Sequence, residues 1–229
     1  MRDLIKNPVW QKFELGFPLP DSKHAVSVAL PTWNDVIDYE EKNPKCLNKL
    51  KSIYPRFGLN PLLKVLEKEI LADYEVDKYM AWPYPTHSIA LKAKSFCDEN
   101  TDNNNSFIRK KRNLIFLITT KESSNYAKIF WQHTGLGLSS RDAAIFLKLE
   151  NAPSKNQVNN CYSKIISRLS RNSNSNKDLI YITSSGMSSL HTALEIIYKI
   201  FPQKPTLQIG FPYVDVLKLP KNIFLVQNY

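Results

Sequence analysis

Nowhere in its 229 residues does this chain hold a run of 18 or more apolar positions, so the sequence offers no membrane-spanning helix. The opening Met1-Arg-Asp-Leu-Ile-Lys-Asn-Pro-Val-Trp10 lacks the apolar core of a secretory signal. A soluble, cytoplasmic protein is the expectation. Cysteine is scarce: Cys46, Cys97 and Cys161 lie far apart, and no Cys-x-x-Cys pair occurs. That spacing excludes a disulfide framework and a zinc cluster, and reduced thiols are expected. His24, His87 and His191 show no metal-ligand spacing, and His133 reads as a hydrogen-bonded structural histidine. No metal is expected. A Gly-x-Ser-x-Gly elbow is missing as well. Gly135-Leu-Gly137 lacks the third glycine of a dinucleotide fingerprint and does not directly follow a strand. No internal repeat is visible.

What is present is a globular composition, 43% hydrophobic, enough for one sizeable core and one or two domains. The formal net charge is +10, which raises the possibility of a nucleic-acid partner. Dense clustering, however, is confined to Arg109-Lys-Lys-Arg112, and the remaining basic residues are interleaved with Asp and Glu. A solvated face is the reading adopted, and nucleic acid is kept as an alternative.

Pro18, Pro20, Pro31 and Pro44 forbid long helices in residues 1 to about 53, so an extended arm with short turns is expected. Pro61 suits a first helical turn, and Leu62, Leu63, Leu66 and Ile70 then share one apolar face to about Leu71. Asp98-Glu-Asn-Thr-Asp-Asn-Asn-Asn-Ser106 is too polar to bury and is expected to be a mobile surface loop. Leu114 to Thr119 reads as a buried strand. Helices are expected from Ser123 or Ser124 to about Trp131, from Ser139 or Ser140 to about Leu149, and from about Val158 to Leu169. Asn172 to Lys177 has the composition of a linker. Leu179–Thr183 and Thr206–Phe211 are expected as strands flanking a helix from Ser188 to Ile200, the unit of a parallel sheet. Leu190, Ala193, Leu194 and Ile197 would turn that helix's apolar side to the sheet.

Tyr181-Ile-Thr-Ser-Ser-Gly-Met-Ser-Ser-Leu-His-Thr-Ala-Leu194 therefore runs through a Ser-Gly turn into a helix, and the N–H groups of Gly186 and Met187 would favour a phosphate there. Alone, such a turn also occurs in domains that bind nothing. Two further segments carry the argument. Tyr54-Pro-Arg-Phe-Gly-Leu-Asn-Pro61 and its following helix resemble the Tyr-x-Arg…Asn-Pro segment of the cystathionine γ-synthase family of pyridoxal phosphate (PLP) enzymes. In that family the Ser-Gly-Met turn comes later, and Gly210-Phe-Pro-Tyr-Val-Asp215 falls where the family places the tyrosine that stacks on the cofactor. Leu15-Gly-Phe-Pro-Leu-Pro20, His24-Ala-Val-Ser-Val-Ala-Leu-Pro-Thr-Trp33 and Trp131-Gln-His-Thr-Gly-Leu-Gly-Leu-Ser-Ser-Arg141 look like the fungal branch.

The resemblance implies an α/β fold: an incomplete fold type I PLP-dependent transferase, a truncated parallel sheet with flanking helices behind an extended N-terminal arm. Residues 1–72 would hold the arm and the Tyr-x-Arg helix, 73–178 a branch-specific insertion, and 179–229 the start of the PLP-binding domain. It also implies transsulfuration, γ-replacement on an O-acylhomoserine by cysteine in methionine biosynthesis, with oligomeric association. Gly186 and Met187 would cradle the cofactor phosphate, Tyr213 would stack on its ring, and Tyr54 and Arg56 would reach the phosphate of the adjacent subunit. The family's Schiff-base lysine and pyridine-binding aspartate come well downstream of the stacking tyrosine. Lys218 and Lys221 lack the lysine's context, and Asp215 comes too early. No catalytic residue is assigned, and an inactive fragment is expected, by truncation or by a shifted reading frame. The alternatives are a non-catalytic partner of a full-length paralogue and a basic nucleic-acid-binding protein.

Overall fold

The structure, a computed structural model, describes residues 3–224 apart from 10, 55, 56, 76, 102–105 and 203. It divides into two compact units, residues 1–132 with 137–144, and residues 133–136 with 145–229.

The first unit opens with a small antiparallel hairpin of β1 (Pro18–Leu19) and β2 (Ser27–Val28). The prolines of this region permit only short helices, α1 (Trp33–Glu40) and α2 (Pro44–Leu47). Thr32 caps α1 and Pro44 occupies the first turn of α2, so the expected arm folds locally where a capping residue stands beside a proline. Helix α3 (Pro61–Leu71) has the expected bounds, with Asn60 as its cap. Its Leu63, Leu66, Ile70 and Leu71 are buried. Each such side chain contributes about 1.5–3 kcal/mol.

The core is a three-stranded antiparallel sheet of β3 (Tyr79–Tyr84), β4 (Ser106–Lys111) and β5 (Leu114–Thr120), in the order β3-β5-β4. The buried strand expected at Leu114–Thr119 is thus central. Strand β3 contains Pro83, which is tolerated because β3 is an edge and the missing N–H falls on its outer side. That edge is closed: Ala81 N–H donates to the Glu67 carboxylate of α3 at 3.3 Å, and Leu138 N–H donates to Pro83 O at 3.1 Å. Helix α4 (His87–Glu99) runs into the expected polar loop, of which residues 102–105 lie outside the described part. Helix α5 (Ser124–Thr134) lays Phe130 and Trp131 against Tyr84 and Trp82, with centroids 6.2 and 5.9 Å apart. Two residues of the basic cluster are used internally. Arg109 Nε donates to Tyr74 Oη at 2.9 Å, and Lys111 Nζ donates to Glu69 O at 2.6 Å at the end of α3.

Helix α6 (Ser140–Phe146) follows, ending earlier than expected. In the second unit α7 (Lys155–Ser173) begins with a Ser154/Gln157 capping box and runs past the expected Leu169 to a left-handed Asn174. Helices α8 (Gly186–Ile200) and α9 (Val214–Asn222) pack on each other, with Phe224 against His191 and Tyr198 at 5.3 and 4.8 Å.

The expected parallel unit is not formed among the described residues, where both sheets are antiparallel. Lys177–Leu179 is a 3-10 turn, residues 180–183 have no strand pairing, and within 206–211 only Thr206 makes an isolated bridge. Apolar β-formers specify a strand only where a neighbouring ladder accepts their backbone groups, and none does here. Leu190, Ala193 and Ile197 of α8, expected beneath a sheet, are exposed for the same reason. The architecture is mixed α/β with small antiparallel sheets. No described helix is long and apolar enough to cross a membrane.

Candidate functional site

The Ser-rich run before α8 does what Ser does best at a helix start. Ser185 Oγ accepts from Ser188 N–H at 3.1 Å, and Ser185 N–H donates back to Ser188 Oγ at 2.9 Å. This capping box takes up the third amide of the helix and leaves the amides of Gly186 and Met187 at its open end. A Cβ added at Gly186 would meet nothing within 4 Å, so no packing demands glycine there and an approaching group has room. Thr183 Oγ1 holds the entering chain, donating to Ser185 O at 2.9 Å and lying 2.8 Å from Ser189 Oγ.

Gly135 stands against this same turn. Its φ is +64°, and a Cβ on it would fall 2.6 Å from Ser185 Oγ, 2.8 Å from Met187 Cβ and 2.9 Å from Ser188 N. Only glycine combines that backbone conformation with that approach. Ser185 Oγ also donates to Gly135 O at 3.3 Å. Gly137 lies against the Trp131 indole. The Gly-Leu-Gly segment is thus used for close packing.

Two residues upstream, His133 is buried with its Nδ1 at 3.5 Å from Oδ1 of Asp215, which is also buried, in the first turn of α9. Lys218 Nζ lies 3.7 Å from the same oxygen. Burial holds the His133 imidazole below its usual basicity; Asp215 opposes this and Lys218 adds to it. At 3.5 Å neither atom makes a hydrogen bond. Sequence reasoning singled out His133 and Asp215 separately. Nothing in the sequence signals that they meet.

Tyr213 is the N-cap of α9 and is 44% exposed, so its ring is accessible. Gly186, Met187 and Tyr213 all belong to the second unit, on helices that pack together. Tyr54 belongs to the first unit, where it lines a cleft and lies 6.3 Å from the Phe57 ring. Arg56 lies outside the described residues. The open amides at Gly186 and Met187 fit the phosphate of a PLP-like cofactor. Lys218 leans on Asp215, and Lys221 is exposed at the end of α9. Among the described residues no group of three His, Cys, Asp or Glu is arranged to hold a metal.

Residues 62–139 match the family described as fungal trans-sulfuration enzyme, N-terminal domain. This span runs from α3 through the antiparallel sheet to the start of α6. Among curated proteins, one from Saccharomyces cerevisiae, provisionally named a cystathionine gamma-synthase, is 32% identical over 157 residues, covering 58% of this chain and 24% of its own length. The Saccharomyces cerevisiae cystathionine gamma-synthase is 28% identical over 145 residues, 56% of this chain and 23% of its own length. The Neurospora crassa cystathionine gamma-synthase is 29% identical over 157 residues, 57% of this chain and 25% of its own length. The chain thus covers about a quarter of these relatives. No solved structure matches it. The chain is thus similar to cystathionine γ-synthases, as its sequence resemblance implied, and the matched span 62–139 begins just after the Tyr54–Pro61 segment.

Proposed function

We propose that this relative of the fungal cystathionine γ-synthases corresponds to an N-terminal portion of such an enzyme, an incomplete fold type I PLP-dependent transferase. In the complete architecture, cysteine sulfur replaces the γ-substituent of an O-acylhomoserine on the way to methionine, in the cytoplasm. Residues 1–72 form the arm and Tyr-x-Arg helix, 73–178 the branch-specific insertion, and 179–229 the start of the cofactor-binding domain. The strand-like segments at 179–183 and 206–211 become a parallel sheet only when further strands pair with them.

The observation that carries this reading is the first turn of α8, whose Gly186 and Met187 amides are left open after Ser185 and Ser188 cap one another. These amides hold the cofactor phosphate, as a helix N-terminus favours an anion. Tyr213 supplies the flat group against the ring. Tyr54 and Arg56 serve the phosphate of an adjacent subunit, Arg with a planar fork that bonds two oxygens. When bound, PLP supplies the electron sink that makes γ-replacement possible. No lysine of this chain stands in the family's cofactor-holding context, so we assign no catalytic residue and expect no γ-replacement by these 229 residues alone. The same gap favours, as a second reading, a non-catalytic partner that joins a full-length paralogue through the Tyr54 segment.

Absorbance during a PLP titration, followed by borohydride reduction and peptide mapping, tests the first reading. The expected result is phosphate-competed binding with no single lysine labelled. Selective labelling of one lysine together with cystathionine formation from O-acylhomoserine and cysteine would show a complete catalyst. Binding that inorganic phosphate does not compete would remove the cradle. Co-purification with full-length paralogues tests the second.

A further inference from the structure

One short stretch of chain touches the starts of both helices that carry the proposed cofactor residues. Residues 133–136 belong to the same compact unit as 145–229. Gly135 stands against the first turn of α8, where its carbonyl accepts from Ser185 Oγ at 3.3 Å. His133 stands against the first turn of α9, with Nδ1 3.5 Å from Asp215 Oδ1. Gly186 and Met187 open the first of these helices, and Tyr213 is the N-cap of the second. The first contact is set by close packing: a Cβ on Gly135 would fall 2.8 Å from Met187 Cβ and 2.9 Å from Ser188 N. The second is set by a buried carboxylate.

By itself the His133–Asp215 contact is unfavourable. Both side chains are buried, and neither of the two facing atoms makes a hydrogen bond. An apolar pair of similar size would fill the space without leaving polar atoms unsatisfied. What the carboxylate does supply is a fixed rotation of α9. Asp215 lies in the first turn, where the positive end of the helix favours it, and Lys218 Nζ is 3.7 Å away. Two positions along a helix are about 200° apart around its axis, so with Asp215 held inward Tyr213 is turned outward, where its ring is accessible. Releasing Asp215 frees that rotation.

We propose that His133–Leu136 is a clasp that fixes the two helix starts relative to each other, with Gly135 seating the Gly186 and Met187 amides and His133, acting through Asp215, as a positioning residue for Tyr213. The clasp is read from the contacts of this chain. Its use, to hold a phosphate cradle and a ring-stacking tyrosine at a fixed separation, rests on the cofactor reading. The coupling has a signature, because an imidazole changes charge close to neutral pH. Among the described residues the charged groups that act on His133 are Asp215 and Lys218, both of α9. Burial lowers its basicity, Asp215 opposes this and Lys218 adds to it, so the folded chain takes up the proton below the usual value near 6.5.

Fluorine NMR of the full chain labelled with 3-fluorotyrosine tests the clasp without any cofactor, the Tyr213 line being assigned by its loss in Tyr213→Phe. The expected result is a Tyr213 line that shifts with pH at the midpoint of the His133 imidazole, itself read from the ring nitrogens. His133→Asn keeps an amide near the place of Nδ1 and takes up no proton, so it should hold the line at its neutral-pH position and abolish the shift. Lys218→Gln, at a half-exposed position, should move the midpoint to higher pH. A Tyr213 line that ignores the titration of His133, or a midpoint that Lys218→Gln leaves in place, would overturn the proposal, and neither measurement depends on a His133 variant that folds. A PLP titration then separates the clasp from the reading it serves. His133→Leu should weaken phosphate-competed PLP binding by about tenfold, and His133→Asn by less than about twofold. A Tyr213 line that follows His133 in a chain without phosphate-competed PLP binding would leave the clasp standing and remove the cofactor reading. Phosphate-competed binding of equal affinity in the wild type and His133→Leu would remove the clasp and leave the cradle.

Discussion

Gly135 and Ser185 are in contact across fifty positions of sequence, with Ser185 Oγ donating to Gly135 O at 3.3 Å. The relationship places Gly135 on the first turn of the helix that carries the proposed phosphate cradle. It also separates two glycines that look alike in the sequence. Gly135 is fixed by φ and by crowding, whereas Gly186 has open space beside it.

These two glycines should answer differently to substitution. Gly135→Ala should destabilise the chain by about 1–3 kcal/mol, through overpacking and a left-handed backbone, measured as a lower urea midpoint. Gly186→Asp should leave the midpoint unchanged or raise it, since an acid in the first turn contributes about 0.3–1 kcal/mol. The same carboxylate should abolish phosphate-competed PLP binding, because it occupies and repels at the open amides. A Gly186→Asp protein that binds PLP normally would exclude this turn from the site.

Acid should loosen the second unit through His133. Its folded-state basicity is lowered, so the unfolded chain takes up the proton more readily; stability is full above the ordinary histidine value near 6.5 and falls as the pH drops below it. The contribution is at most about 1.4 kcal/mol per pH unit. Melting temperatures between pH 7.5 and 5 should decline more steeply for the wild type than for His133→Gln. Parallel curves would remove His133 from the acid response.

Thiol reactivity should divide the three cysteines. Burial, with the Asp98 charge beside it, pushes the Cys97 thiol up to about 12, and burial likewise raises Cys46. Cys161 is exposed on α7. A thiol reagent at pH 8 should therefore label Cys161 in the native chain and all three in urea, as peptide mapping would show. Rapid native labelling of Cys97 would contradict the packing of α4 on the sheet.

Arg56 can be tested once the downstream part is supplied by fusion to a relative's C-terminal portion. Arg56→Ala should reduce PLP affinity by about 10- to 100-fold, the worth of a charge-assisted hydrogen bond of roughly 1.5–3 kcal/mol. If the contact is made in trans as proposed, a dimer pairing one Arg56→Ala chain with one chain damaged at the cradle should retain one intact site. Unchanged affinity in the Arg56→Ala protein would remove the residue from the site.

The sequence by itself determined what depends on neighbours along the chain. Pro61 followed by apolar residues at helical spacing specified α3 to about Leu71, since a first-turn proline and one buried face are both local. The apolar run Leu114–Thr119 read as a buried strand, which the structure carries to Thr120, and the Ser-Gly turn announced the start of α8. The order of Tyr54, the Ser-Gly-Met turn and Tyr213, with the fungal-branch segments, was enough to suggest a resemblance to cystathionine γ-synthases, which the match over residues 62–139 supports. Pairing was another matter, because a strand exists only with its partner. Tyr79–Tyr84, with a proline inside, became a strand by lying at an edge, while Leu207–Ile209, of better strand composition, stayed unpaired. Only the tertiary structure set Gly135 against Ser185 and His133 beside Asp215, since a contact between residues far apart in the chain follows from how the elements pack and leaves no periodicity to read.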